Sequence, residues 1–190
     1  LPDGPEGPEV HTPEKFKKIY QVVKDSGYVG ATMPTQYGGG GAPFTTAILA
    51  GEVGIASNMA FYMGPGLSHG AMKTILKKAT QELKDKYLPN MTSGEWMGTM
   101  CLTEPQCGTD LGLIKSTANP VGDHYELNGQ KIWISFGEHD LTENIIHLVL
   151  ARTPDAPAGI KGISLFLVPK RLDDNSRNPI FCGGLEHKLG

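Results

Sequence analysis

The chain is poor in cysteine, with only Cys101, Cys107 and Cys182 among its 190 residues. Three thiols without a Cys-X-X-Cys spacing exclude a disulfide framework, and reduced thiols fit a cytosol-like compartment. The histidines, at 11, 69, 124, 139, 147 and 187, lack a His-Glu-X-X-His spacing, so no metal site is expected. An excess of either charge is also lacking, with 17 Lys and Arg against 20 Asp and Glu. A net charge of −3 without a basic run argues against nucleic acid as a partner. No apolar run reads as long enough to span a bilayer and no signal peptide is evident, so no membrane partner is expected. The glycine run Gly38–Gly41 follows no strand and precedes no Gly-Lys-Ser/Thr, which makes it a bend rather than a phosphate loop. The opening Leu1–Pro8, without Met, reads as a linker or cut site, and the chain as a fragment of a longer protein.

What is present is a chain of two textures. At 39% hydrophobic and 19% charged residues it can build a real core. Residues 12–27 predict a helix, with Thr12 as N-cap, Pro13 at the first helical position and Gly27 ending it. Phe16, Ile19, Tyr20 and Val23 form its apolar face. Further helices are predicted over 44–57 and 67–78, broken at Gly64-Pro-Gly66, and from Gln81 to about Leu88 with Thr80 before it. Beyond Trp96 short apolar runs alternate with turn clusters, predicting strands at 96–102, 113–119, 123–127, 130–135, 144–152, 162–168 and 180–186. The run Ile145–Ala151 is almost continuously apolar and is expected to be buried on both faces. The fold class is thus α+β, a helical bundle followed by an antiparallel β-barrel or sandwich. The boundary falls near residue 94, between a helical domain over 1–94 and a β-domain over 95–190.

Asn128-Gly129 between two alternating runs predicts a two-residue hairpin pairing Tyr125 with Ile132 and Leu127 with Gln130. Tyr125, Leu127, Ile132 and Ile134 would then face a core. Glu126, Lys131, Trp133 and Ser135 would share the other face, leaving a large aromatic ring and a hydroxyl side by side on a polar surface. Upstream, Cys101–Asp110 holds hydroxyls, a proline and a glycine, and predicts a loop with free backbone N–H groups. Such a loop suits an electron-rich ligand, although its Thr and Asp side chains could equally bond to their own backbone.

These residues resemble a known family. Leu102-Thr-Glu-Pro105, Gly108-Thr-Asp110 and Asn128–Ser135 are similar to the two flavin-contacting segments of the acyl-CoA dehydrogenases. The likeness continues through Tyr37-Gly-Gly, Tyr87-Leu-Pro and Lys161–Pro169. Gly137-Glu-His-Asp140 and Glu143–Arg152 resemble the 3-methylmercaptopropionyl-CoA dehydrogenase-like branch. The resemblance implies α,β-dehydrogenation of an acyl-CoA thioester, with FAD taking the β-hydride at N5. It implies cofactor contacts from Met100, Leu102, Thr103, Gly108, Thr109, Trp133, Ile134 and Ser135, with Thr109 also near substrate. The implied partners are acyl-CoA, an electron-transfer flavoprotein or similar acceptor, and further copies in a homodimer or homotetramer. The implied location is the bacterial cytoplasm or the mitochondrial matrix.

The catalytic base and a C-terminal helical domain are expected outside this chain, which would be inactive alone. Cys107 and Leu113 stand where the family has small residues. Cys101 and Cys107 read as packing residues, Glu104 as structural, and His139 and His147 as structural, with Asp140 a partner for His139. Met63, Gly64 and Gly66 are expected near an acyl pocket. A flavin monooxygenase or oxidase, or a non-catalytic flavoprotein on the same scaffold, is the competing reading.

Overall fold

The computed structural model describes residues 9–188, so the predicted linker at the N-terminus lies outside the described residues. The chain begins with α1 (Glu14–Asp25), α2 (Phe44–Lys78) and α3 (Gln81–Ser93). Five strands follow: β1 (Trp96–Cys101), β2 (Thr117–Val121), β3 (His124–Asn128), β4 (Asn144–Ala151) and β5 (Ser164–Pro169). Helices therefore precede strands, as the sequence predicts.

Helix α1 starts one residue later than expected. Pro13 occupies the N-cap position, because the Thr12 hydroxyl and N–H both donate to Asp140, at 2.6 and 2.9 Å. Helix α2 corrects the predicted break. It runs through Gly64-Pro-Gly66 and kinks instead at Asn58 (φ −162°, ψ 96°), whose side chain accepts from the Phe61 N–H at 2.9 Å and so caps the second arm. Helix α3 matches its predicted cap, since Thr80 Oγ1 accepts from Leu83 N, and Gly94 ends it with φ 82°.

The apolar length of α2 also corrects the reading of the sequence. The helix is 35 residues long, with a mean hydropathy of 1.2 over one 18-residue window, enough by length and composition to cross a bilayer. Its first arm, before the kink, is 14 residues or about 21 Å, short of the ~30 Å hydrocarbon core. The second arm packs Gly64, Ser68, Ala71, Met72 and Ile75 inward.

β4 is buried almost throughout, as its composition predicts, because it is the centre of a three-stranded sheet ordered β1-β4-β5. Not all pairing is antiparallel. β4 and β5 run antiparallel, but β1 and β4 run parallel, with Thr99 opposite His147 and Cys101 opposite Val149. Helices and strands share one core, in which Met72, Ile75, Leu88 and Met91 meet Ile146 and Leu148. The close approach is at Gly98, where a Cβ would lie 2.7 Å from both Ala71 Cβ and Met91 Cε.

β2 and β3 form a separate antiparallel hairpin, and here the predicted register fails. The turn is Gly122-Asp123, with Gly122 at φ 59°, and Val121 pairs with His124. Tyr125 faces Pro120 and Leu127 faces Ala118, rather than Ile132 and Gln130. Asn128 is the last residue of β3, and 130–135 is not a strand. The predicted strand over 180–186 is also absent, and 113–119 forms only from Thr117.

The reason that 130–135 leaves the hairpin is Glu104. This carboxylate is buried and binds Lys131 Nζ at 2.8 Å, the N–H groups of Lys115 and Ser116 at 2.8 and 3.0 Å, and the Ser116 hydroxyl. Lys131 Nζ also donates to Leu102 O, and Ile132 N to Thr103 O. The segment is thereby tied to the loop after β1. Burial pushes the Glu104 carboxyl up, but Lys131, Ser116 and the two backbone N–H groups outweigh it and hold it at about 2.

Two outcomes follow from this packing. Gly98→Ala should lower the stability of the folded protein by about 1–3 kcal/mol, measured by chemical denaturation, since the contacts on either side are a packed helix and a core methionine. Glu104 is charged in the fold below its ordinary carboxyl value, so its stabilisation is complete above about pH 4.5 and is lost as pH falls towards about 2. Glu104→Gln should destabilise the protein at pH 7 and flatten the acid limb of its stability curve; an unchanged acid limb would remove Glu104 from this role.

Candidate flavin-facing site

Two segments that the sequence singles out lie together. The loop after β1 carries Leu102, Thr103, Gly108 and Thr109, and the segment 131–135 runs beside it through the Ile132–Thr103 and Lys131–Leu102 bonds. Gly108 sits against Thr103, with a Cβ there 3.6 Å from Thr103 Cγ2. Met100 is half-buried on β1, pairs with Leu148 and packs on the main core. The predicted spacing of Trp133 and Ser135 on one strand face does not exist. Trp133 takes φ 61° and Phe136 φ 52°, so the chain winds through two left-handed residues instead of extending. Ile134 is half-buried between them.

The Trp133 ring nevertheless stays on the surface, 46% exposed, with Lys188 Nζ 5.6 Å from its centroid. Among the described residues, the backbone N–H groups of Thr103, Gly108, Thr109, Trp133, Ile134 and Ser135 have no hydrogen-bond acceptor. The hydroxyls of Thr103, Thr109 and Ser135 are likewise unengaged, whereas the carbonyls of Thr103, Thr109, Ile134 and Ser135 accept, the last from Thr99 Oγ1 at 2.7 Å. A surface aromatic beside a set of unpaired donors can pack on a planar ring and stabilise charge that develops at its edge.

The other singled-out residues take different places. Gly64 is buried under Phe136, where a Cβ would meet the ring at 2.7 Å, whereas a Cβ on Gly66 would meet nothing within 4 Å. Met63 is 40% exposed. Cys101 and Cys107 are buried free thiols; burial pushes Cys101 up to about 12, against the pull of Lys131. Cys107 closes a tight bridge with Glu104 through reciprocal backbone bonds, and Leu113 is exposed. Glu104 is structural, locked in its ion pair. No group of three or more His, Cys, Asp or Glu side chains suited to a metal occurs among the described residues.

Asp140 does not partner His139. It binds Thr12 and Lys17, the latter at 2.7 Å, and these donors outweigh its burial to hold its carboxyl well below the usual range. Glu138 pairs with Lys170 and Arg177. His139 is buried, its imidazole pushed down to about 4 mainly by burial, and its ring stands edge-on to Phe136 at 5.8 Å. His147 is buried, with Nε2 donating to Gly137 O at 2.8 Å and Nδ1 3.2 Å from Val168 O. Burial pushes this imidazole down, against the pull of both carbonyls. The sequence reading missed the grip of Thr99 and His147 on 135–137. Its signal was a threonine and a histidine placed within otherwise apolar strand runs.

Comparison with known proteins accords with this geometry. The family model for the acyl-CoA dehydrogenase N-terminal domain matches residues 5–95, and that for the acyl-CoA dehydrogenase middle domain matches residues 99–186. The chain is 44% identical to a 3-methylmercaptopropionyl-CoA dehydrogenase of Ruegeria pomeroyi over 191 residues, covering 97% of this chain and 32% of that protein. It is 39% identical to a butyryl-CoA dehydrogenase of Syntrophomonas wolfei, covering 95% of this chain and 31% of that protein. A crystal structure of an acyl-CoA dehydrogenase from Geobacillus kaustophilus superposes with a TM-score of 0.70 at 30% identity, covering 80% of this chain and 39% of that one. The chain spans about a third of the length of the curated relatives. With helices, strands and both motif segments in one order, and the two models covering nearly all of it, this chain belongs to the acyl-CoA dehydrogenase family.

Proposed function

We propose that this chain supplies the flavin-facing surface of an FAD-dependent acyl-CoA dehydrogenase that oxidises the α,β-bond of an acyl-CoA thioester. Residues 1–94 are its helical domain and residues 95–190 its β-domain. The observation that carries the proposal is the surface Trp133 beside unpaired donors at Thr103, Gly108, Thr109, Ile134 and Ser135. The donor set fits an isoalloxazine, which has a broad ring to pack on and an edge rich in acceptors. FAD, when bound, supplies the two-electron acceptor for the reaction.

In this reading Trp133 would pack on the ring, with Ser135 and Ile134 holding it from the same segment. Thr103 and its loop would supply donors to the acceptor-rich edge, while Met100 and Leu102 back the loop. Gly108 leaves room for close approach, and Thr109 would serve both cofactor and the CoA arm. Glu104 is not the base, because it is paired with Lys131 and buried beneath the loop. An electron-transfer flavoprotein or similar acceptor, and assembly as a homodimer or homotetramer, belong to the same proposal.

The test is anaerobic titration of the full-length natural protein, carrying FAD, with a panel of acyl-CoA thioesters. At least one should bleach the flavin absorbance, and failure of every thioester would overturn the activity. Trp133→Ala should weaken FAD binding by about tenfold, on the scale of a lost aromatic contact. FAD affinity and spectrum both unchanged would remove Trp133 from the site.

A further inference from the structure

The turn that carries Ser135 cannot hold itself. Its residues lie outside any strand, Trp133 and Phe136 both adopt left-handed φ, and its only internal bond is Gly137 N to Ile134 O at 3.3 Å. Strained residues of this kind persist only where neighbouring structure over-determines them. Two buried polar side chains do so here. Thr99 is 1% exposed and donates to Ser135 O at 2.7 Å; His147 is 3% exposed and donates to Gly137 O at 2.8 Å. The two are direct partners across the parallel β1–β4 pair, so they stand side by side on one face of the sheet. Their acceptors are two residues apart and flank Phe136. The Phe136 ring fills the space between, against Gly64, Met97 and His139.

We propose that Thr99 and His147 are paired positioning residues for the flavin surface. They form a two-point clamp that grips the carbonyls on either side of Phe136 and so sets the direction of Ser135 and Trp133. The inference rests on the reading of that surface as the FAD site. Both ring nitrogens of His147 face carbonyl oxygens, which only accept, so the ring has to donate; the 2.8 Å contact to Gly137 takes the proton in the neutral form. The strands bring rigidity that the turn lacks, because β4 is the buried centre of its sheet.

The experiment uses full-length natural holoprotein with Thr99→Val, Thr99→Ser, His147→Leu and His147→Gln. Val and Leu remove the donor and keep bulk, whereas Ser and Gln keep a donor. Loss of either grip should weaken FAD binding by about 3- to 10-fold, the range for one buried hydrogen bond. It should also shift the flavin absorption band and lower the steady-state anisotropy of Trp133 fluorescence in the apoprotein, read as the difference between each variant and its Trp133→Phe counterpart. Thr99→Ser and His147→Gln should stay within about twofold of the parent.

Thr99→Val folds whenever Thr99 serves only packing, so it keeps the test open if His147→Leu does not fold. The clamp is overturned if Thr99→Val lowers the melting temperature but leaves FAD affinity, flavin spectrum and Trp133 anisotropy unchanged. That result would leave the site itself standing, provided that Trp133→Ala still loosens FAD. A parent protein that binds no FAD would instead overturn the site, and the clamp with it.

Discussion

A carboxylate taken out of water must be met by donors, and Glu104 collects them from three stretches of chain. Lys131 comes from beyond β3, Ser116 and the Lys115 N–H from before β2, and the glutamate itself from the loop that leaves β1. One charge thus decides where the loop and the 130–135 segment run. An apolar residue at position 104 could not do this, because nothing directional would oblige Lys131 to leave the hairpin. The cost of burial is met by the Lys131 ion pair and four further hydrogen bonds, from Gln106, the Lys115 N–H and both the N–H and hydroxyl of Ser116, which is why the group stays ionised.

A second constraint is the parallel pairing of β1 with β4. It places Thr99 against His147 and aims both at the turn that carries Ser135. It also stacks the second arm of α2 on the sheet, with Gly98 admitting Ala71 and Met91 where a side chain would not fit. The proposed flavin surface is therefore built from loops but braced by the most buried strand in the chain. The other end of α2 is different in kind. Phe44, Ile48, Leu49, Val53 and Ile55 are exposed along its first arm, ahead of the Asn58 kink.

Much of this was legible in the residues. The run Ile145–Ala151 had to be buried on both faces, Thr80 had to start a helix, and the composition change near Trp96 had to mark the passage from helices to strands. The loop after β1 and Trp133 were each recognisable as parts of one surface. The errors share a cause. Gly122-Asp123 and Asn128-Gly129 both carry turn chemistry, and both are followed by alternating residues, so local pattern could not choose between them. Likewise Gly64-Pro-Gly66 has the composition of a break, yet it stays helical, with Gly64 packed under Phe136 and Gly64 and Pro65 both buried.

The sequence by itself determined most of the element types, the order of helices before strands, and which residues carry an aromatic ring and hydroxyls worth explaining. Those depend on local propensity and on periodicity, which are written along the chain. Only the tertiary structure decided that Trp133 is presented by a wound, left-handed segment rather than a strand face. It alone also decided that Glu104, Thr99 and His147 hold that segment in place. Those choices rest on hydrogen bonds between residues 10 to 36 positions apart, or on cross-strand neighbours 48 apart, and no local pattern encodes which buried donor will find which acceptor.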